Sequence, residues 1–222
     1  MVEDTPDDLV HELLSEASFG QSTLANPILG TEETLASFTR EQILSYMDNY
    51  YVGERVVISV AGHYHEDLLA QLEDTFSAVP SAKKQHQPRE AMFIPVQKHL
   101  QKETEQAHLC LAYPGLEVGS AQMFNLILLN NALGGSMSSR LFQEIREERG
   151  LCYSVFSYHS AYENIGSVTV YAGTQMNQLQ ALSESMNNVL AQMQAEGLTK
   201  KRIREWKRTA KRQYYARARK YK

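Results

Sequence analysis

The sequence predicts an α+β fold in which helices cover an antiparallel sheet. Three observations carry this. Ala107 to Tyr113 alternates, with Ala107, Leu109, Leu111 and Tyr113 on one face and His108 and Cys110 on the other, and Pro114-Gly115 ends the run; that is a strand pattern. Leu151 to Tyr162 and Ser167 to Gly173 are rich in β-formers and flank Asn164 and Gly166, which reads as an antiparallel hairpin. Leu179, Leu182, Met186, Val189, Leu190 and Met193 recur at helical spacing and define a long amphipathic helix.

The elements follow in order. Thr5-Pro6-Asp7-Asp8 is a helix start, with Thr as N-cap, Pro at the first helical position and acids where the dipole favours them. Leu9, Val10, Leu13 and Leu14 supply its apolar stripe, and a loop with Gly20, Asn26, Pro27 and Gly30 follows. Thr39-Arg40-Glu41-Gln42 is a capping box that opens a helix with Ile43, Met47 and Tyr50 on one face. Val56 to Ala61 predicts a short β-branched strand, and His65 to Phe76 a helix. Residues 77–95 hold three Pro and no periodicity, so the linker is placed at 80–98. Beyond the first strand of the second block, residues 119–132 read as an apolar helix, Gly134-Gly135 breaks it, and Ser138 to Glu148 forms another. The second block is therefore β-α-α-β-β-α.

Composition narrows the function classes. Hydrophobic residues make up 43% and charged ones 22% of the 222 residues, as in a globular chain. No apolar stretch approaches the ~20 residues of a membrane-spanning helix, and no signal peptide is visible. Two Cys in apolar alternating contexts, Cys110 and Cys152, read as small buried hydrophobes of a reducing, cytoplasmic compartment. Charge is uneven: twelve of the 22 basic residues but one of the 26 acids lie from Lys200 to Lys222. That tail carries +11 and residues 1–199 carry −15.

The seven His contain no HExxH or HxxEH, and the chain has no GxSxG, Walker A or GxGxxG. His63 and His65 precede Glu66 and Asp67; two imidazoles so close suit a metal, and equally a solvated turn into a helix. Gly134-Gly135-Ser136 places backbone N–H groups at a helix start, which suits an anion or a plain cap. Arg146 near a helix end and Tyr153 after the Gly150 turn are the more informative pair. A guanidinium and a phenol there can converge on a peptide carbonyl, or serve as a helix-end cation and a packed aromatic.

Several stretches together resemble the pitrilysin/insulinase metallopeptidases. They are Ser18-Phe19-Gly20-Gln21, Pro27-Ile28-Leu29-Gly30-Thr31-Glu32, Phe38-Thr39-Arg40, Asn49-Tyr50-Tyr51, Val56 to Gly62, and the run from Leu133-Gly134-Gly135-Ser136 through Ser139-Arg140-Leu141-Phe142 to Ile145-Arg146-Glu147. Within that family the chain is similar to bacterial processing peptidases and to mitochondrial processing peptidase subunits. The resemblance spans residues 1–199. It implies a zinc peptidase of homologous α+β domains that enclose a peptide-binding chamber. Zinc there is held by two His of HxxEH and a distal Glu, and the HxxEH Glu activates the attacking water. An Arg and a Tyr of the second domain bind substrate, and Arg146 and Tyr153 match them in motif and spacing.

The departures are as informative. HxxEH is absent, and the third ligand is expected just before Met1, so no metal ligand and no catalytic residue is assigned to this chain. It is expected to bind no zinc and to be inactive alone. Residues 1–79 are read as the C-terminal part of a first peptidase-like domain, with an unpaired edge and an uncovered apolar helix face. Residues 99–199 are read as the second domain and 200–222 as a basic, frameshifted tail. Lys207 to Lys222, back-translated with permitted codons and read one base later, gives Lys-Glu-Gln-Leu-Lys-Gly-Ser and then Leu-Glu-Ser-Thr, the family pattern.

Three functions compete on this reading. The chain is a fragment of a zinc endopeptidase acting on peptides or presequences, carrying the substrate-binding but not the zinc-binding half. Alternatively it is a non-catalytic subunit paired with a homologous chain or with itself. The third is nucleic-acid binding through the tail with Trp206, Tyr214, Tyr215 and Tyr221, which a frameshift explains without function. No membrane partner is expected.

Overall fold

Strand alternation gives one sheet two chemically different faces, and helices sort themselves onto them. The computed structural model describes residues 4–81, 90–200 and 203–204. Within them, strands β1 (Ala107–Pro114), β2 (Ser154–Ala161) and β3 (Gly166–Thr174) form an antiparallel sheet of order β1-β3-β2. β2 and β3 are the expected hairpin, with Tyr158 opposite Thr169 and Phe156 opposite Tyr171. Leu109, Ala172 and Val155 share one row across the sheet, and Leu111, Val170 and Ser157 the next.

That face carries the core. Helices α5 (Met123–Leu133) and α6 (Leu179–Glu196) and a π-helical turn (Phe142–Glu148) with its N-cap Leu141 supply Ala132, Leu133, Leu141, Ile145, Leu182, Met186, Val189 and Met193 against Val155, Val170 and Ala172. Burial of these side chains is the main stabilising term, at about 1.5–3 kcal/mol for each large one. The helix after Gly134-Gly135 differs from expectation: Phe142–Glu148 is wound as π, its hydrogen bonds reaching one residue further along the chain than those of an α-helix. The strand after it starts at Ser154, three residues later than the apolar pattern suggests.

The opposite face, with Cys110, Tyr171 and Phe156 in one row, meets helix α1 (Pro6–Phe19). Pro6 and the first-turn acids Asp7 and Asp8 start α1 as the sequence predicts, but the Thr5 side chain makes no cap hydrogen bond to it. Phe19 closes α1 with edge-on contacts to Phe93 and Tyr162, ring centroids 6.2 and 5.8 Å away.

Residues 27–88 form a second compact unit, while residues 1–26 belong with residues 89–222 in the first. Compactness thus divides the chain differently from the composition boundary at 79/80. The second unit has helices α2 (Glu32–Ser37), α3 (Arg40–Tyr50) and α4 (Asp67–Phe76). Both α2 and α3 start with a complete capping box: at α3 the Thr39 side chain accepts from the Gln42 N–H at 3.3 Å, and the Gln42 side chain accepts from the Thr39 N–H at 2.9 Å.

The predicted strand Val56 to Ala61 is corrected. No ladder forms there among the described residues, although Val56 keeps extended dihedrals. A strand exists only through the backbone bonds of a neighbour, whatever its side chains favour. Without one, Val57 is 89% exposed, while Ile58 and Val60 turn with Tyr64, Leu69, Leu72 and Phe76 onto an open apolar hollow of about 680 Å³. Helix α6 stops at Gly197, and the basic tail expected after Thr199 falls almost wholly outside the described residues.

Candidate peptide-binding site

Gly134 is where the site begins, because its missing side chain lets the end of α5 touch β2. Its carbonyl accepts the Ser157 N–H at 3.2 Å, and the Ser157 hydroxyl donates to the Asn130 carbonyl at 3.2 Å. A Cβ at Gly134 would stand 2.4 Å from the Ser157 nitrogen. Gly134 thus serves close packing against the outer edge of β2, while Gly135 packs against Asn131 at the end of α5.

The π-helical turn follows. Ile145 is fully buried in the core and its carbonyl accepts the Leu151 N–H at 3.0 Å. Gly150, at φ +61°, turns the chain out of the helix in a conformation that a side chain disfavours. The Leu151 carbonyl is then held by the Thr174 hydroxyl at 2.6 Å, which ties the exit loop to β3. Arg140 secures the helix from its other end, its Nη2 donating to the Gly197 carbonyl at 3.2 Å and pairing with Glu196 at 3.3 Å.

These fixed points bring Arg146 and Tyr153 together. The Arg146 Cζ lies over the Tyr153 ring, 4.9 Å from its centroid, and over the Phe142 ring at 4.6 Å. Tyr153 is 78% exposed and Arg146 partly so, with Glu147 3.8 Å from Arg146 Nε. Burial pushes the neighbouring Cys152 thiol up to about 11, against the pull of Arg146. A guanidinium lying on an aromatic face keeps its N–H groups in its own plane for acceptor oxygens such as carbonyls. Phe142 is the member of this group that motif spacing did not single out. Its position four residues before Arg146 is the available signal, blurred because the turn is π and not α.

The other candidates do not join it. His65 pairs with Asp67 at 3.1 Å, both well exposed, in the second unit. Among the described residues no three His, Cys, Asp or Glu come together in a group able to hold a metal ion, so the residues present do not fit the zinc of the resembled peptidases. Both cysteines are free; Cys152 is buried and Cys110 half-buried. Among the described residues no helix is long and apolar enough to cross a membrane.

The sheet and its helical cover define an α+β domain, and comparison gives the family. Residues 37–210 match the family model described as the peptidase M16 inactive domain. The chain belongs to the peptidase M16 family. It is 50% identical over 211 residues to the uncharacterized zinc protease YmxG of Bacillus subtilis, covering 95% of this chain and 52% of that protein. An uncharacterized zinc protease of Rickettsia felis is 35% identical over 193 residues, covering 86% of this chain and 47% of the relative. The chain thus spans about half the length of the curated relatives it matches. Among solved structures, a peptidase M16 inactive domain from Pseudomonas fluorescens superposes with a TM-score of 0.82 at 24% identity, over 94% of this chain and 52% of that one. A protease from Helicobacter pylori gives 0.84 at 16%, over 97% and 54%. These structures share the fold.

Proposed function

We propose that this chain is the substrate-gripping, zinc-free part of an M16 peptidase, in which Arg146 and Tyr153 hold the backbone of an extended peptide. The observation that carries the reading is the Arg146 guanidinium lying 4.9 Å over the largely exposed Tyr153 ring, at the mouth of the turn into β2. Arg146 donates to a peptide carbonyl, and Tyr153 orients the guanidinium and offers its own hydroxyl. Polarising or fixing a carbonyl assists hydrolysis only when a water-activating centre faces it, and in this reading another part of the full-length protein or a homologous chain supplies zinc and general base. The relatives named zinc proteases, about twice as long, support this division of labour. Residues 1–79 and 99–199 are, in the same reading, parts of two homologous domains, and the protein works in the cytoplasm.

A titration with a fluorescein-labelled, unstructured basic peptide tests the grip. Arg146→Ala is expected to weaken binding about tenfold or more, the cost of one charge-assisted hydrogen bond. Tyr153→Phe should cost less, since the ring under the guanidinium remains. Equal affinities for wild type and Arg146→Ala would overturn the assignment. The chain alone is expected to cleave this peptide neither with nor without added zinc. Cleavage that survives repurification and is lost on chelation would refute the zinc-free reading.

The non-catalytic subunit is the second reading, favoured by the match to a domain described as inactive. Co-purification with a chain bearing HxxEH separates it from a fragment of a single polypeptide.

A further inference from the structure

The face of the sheet away from the core holds a histidine set among aromatic rings, a phenol and a thiol. His11, on α1, has its Nδ1 2.9 Å from the Tyr158 hydroxyl and 3.6 Å from the Cys110 sulfur. Its ring lies 5.1 Å from the Tyr171 ring, 5.5 Å from Tyr158 and 6.2 Å from Phe156, centroid to centroid. The Tyr158 hydroxyl can donate to Nδ1 while that nitrogen is unprotonated, and accept from it once it carries a proton.

Every element packed against His11 contributes to its setting. Asp7 and Asp8 stand one turn earlier on α1 and favour its charged form. His108 and Cys110 face it from β1, Tyr158 from β2 and Tyr171 from β3. Burial outweighs the two carboxylates and holds the imidazole below its ordinary range, and His108 acts in the same direction. Burial also lifts Tyr158, and pushes Cys110 and Tyr171 up to about 12, so thiol and phenols stay neutral through the acid range. Histidine is then the residue type on this face that changes charge just below neutrality.

We propose that His11 is an acid-sensitive latch for α1. While neutral, it accepts the Tyr158 hydroxyl and seats the helix among three aromatic rings. Once protonated, its ring carries a charge that packing among the three rings keeps from water, so the imidazolium moves out to solvent and the first turns of α1 lift from the sheet. The far end of α1 is held by Phe19 against Phe93 and Tyr162, so opening starts at the N-terminal side. None of this involves Arg146 or Tyr153, and the latch stands or falls apart from peptide binding.

The sign follows from linkage. The docked state binds the His11 proton more weakly than the released state, whose value is near the ordinary ~6.5. Docking is therefore fully favoured above about pH 6.5 and loses up to about tenfold per pH unit below it, until the docked form itself protonates. Amide hydrogen exchange on the full chain reads this, as protection factors corrected for the intrinsic pH dependence of exchange. From about pH 7.5 to about pH 5.5, protection of α1 amides is expected to fall relative to Val170 and Ala172 of β3, by no more than about tenfold per pH unit. His11→Gln should flatten the response, and His108→Gln should keep it. Protection of α1 that tracks β3 at every pH in the wild type would overturn the latch. So would a response abolished by His108→Gln and retained in His11→Gln.

Discussion

Ile145→Ala is expected to destabilise the first unit by about 3–4 kcal/mol, near the upper part of the range for truncating a fully buried branched side chain. Ile145 has no exposed surface and packs in the cluster with Leu141, Leu182, Met186 and Val170. It also lies inside the π-helical turn, where its carbonyl holds the Leu151 N–H. Neighbours tied in this way cannot collapse into the space left by the lost carbons, which keeps the cavity cost high. Urea unfolding followed by circular dichroism should show a lower midpoint at an unchanged slope. A cost under about 1 kcal/mol would mean that the turn relaxes freely and does not anchor Arg146 to the core.

The second large effect is expected at Gly134→Ala, through the opposite fault. The added methyl would sit 2.4 Å from the Ser157 nitrogen, 2.9 Å from the Phe156 carbonyl carbon and 2.7 Å from the Ser157 hydroxyl. Two of these three atoms belong to the backbone, so no rotamer change relieves the contact. The end of α5 must move off β2, and both Ser157 hydrogen bonds to the Asn130–Gly134 turn lengthen or break. Overpacking of this kind costs about 1–3 kcal/mol, and the lost bonds add to it, so about 3 kcal/mol is expected. Hydrogen exchange at the Ser157 amide should accelerate before that of Ala172, which pairs with Leu109 and Val155 and not with Ser157. Wild-type stability with an unchanged Ser157 amide would show that the glycine is there for another reason.

The local code of this chain is legible wherever a signal and its consequence lie within a few residues. The Thr39 capping box, Pro6 at the start of α1, the alternation through β1 and the helical stripe of α6 all reappear in the structure. So does the Arg146 and Tyr153 pairing as a spatial fact, since one helix exit and the Gly150 turn join them. The family, too, was legible, because motifs such as Leu133 to Glu147 are themselves local strings.

Long-range pairing decided the rest. Val56 to Ala61 has the composition of a strand but no ladder among the described residues, because β structure is made by a neighbour and not by the segment. Phe142–Glu148 winds as π, with Ile145 in the core and the exit loop tied to Thr174 on β3, long-range contacts that helix propensity does not contain. Residues 1–26 join the unit of the sheet and not the segment that follows them, and His11 meets Tyr158 across 147 positions of sequence. Patterning alone marks α1 as an amphipathic helix. That it carries His11 into an aromatic face was settled by which surfaces the folded chain brought together.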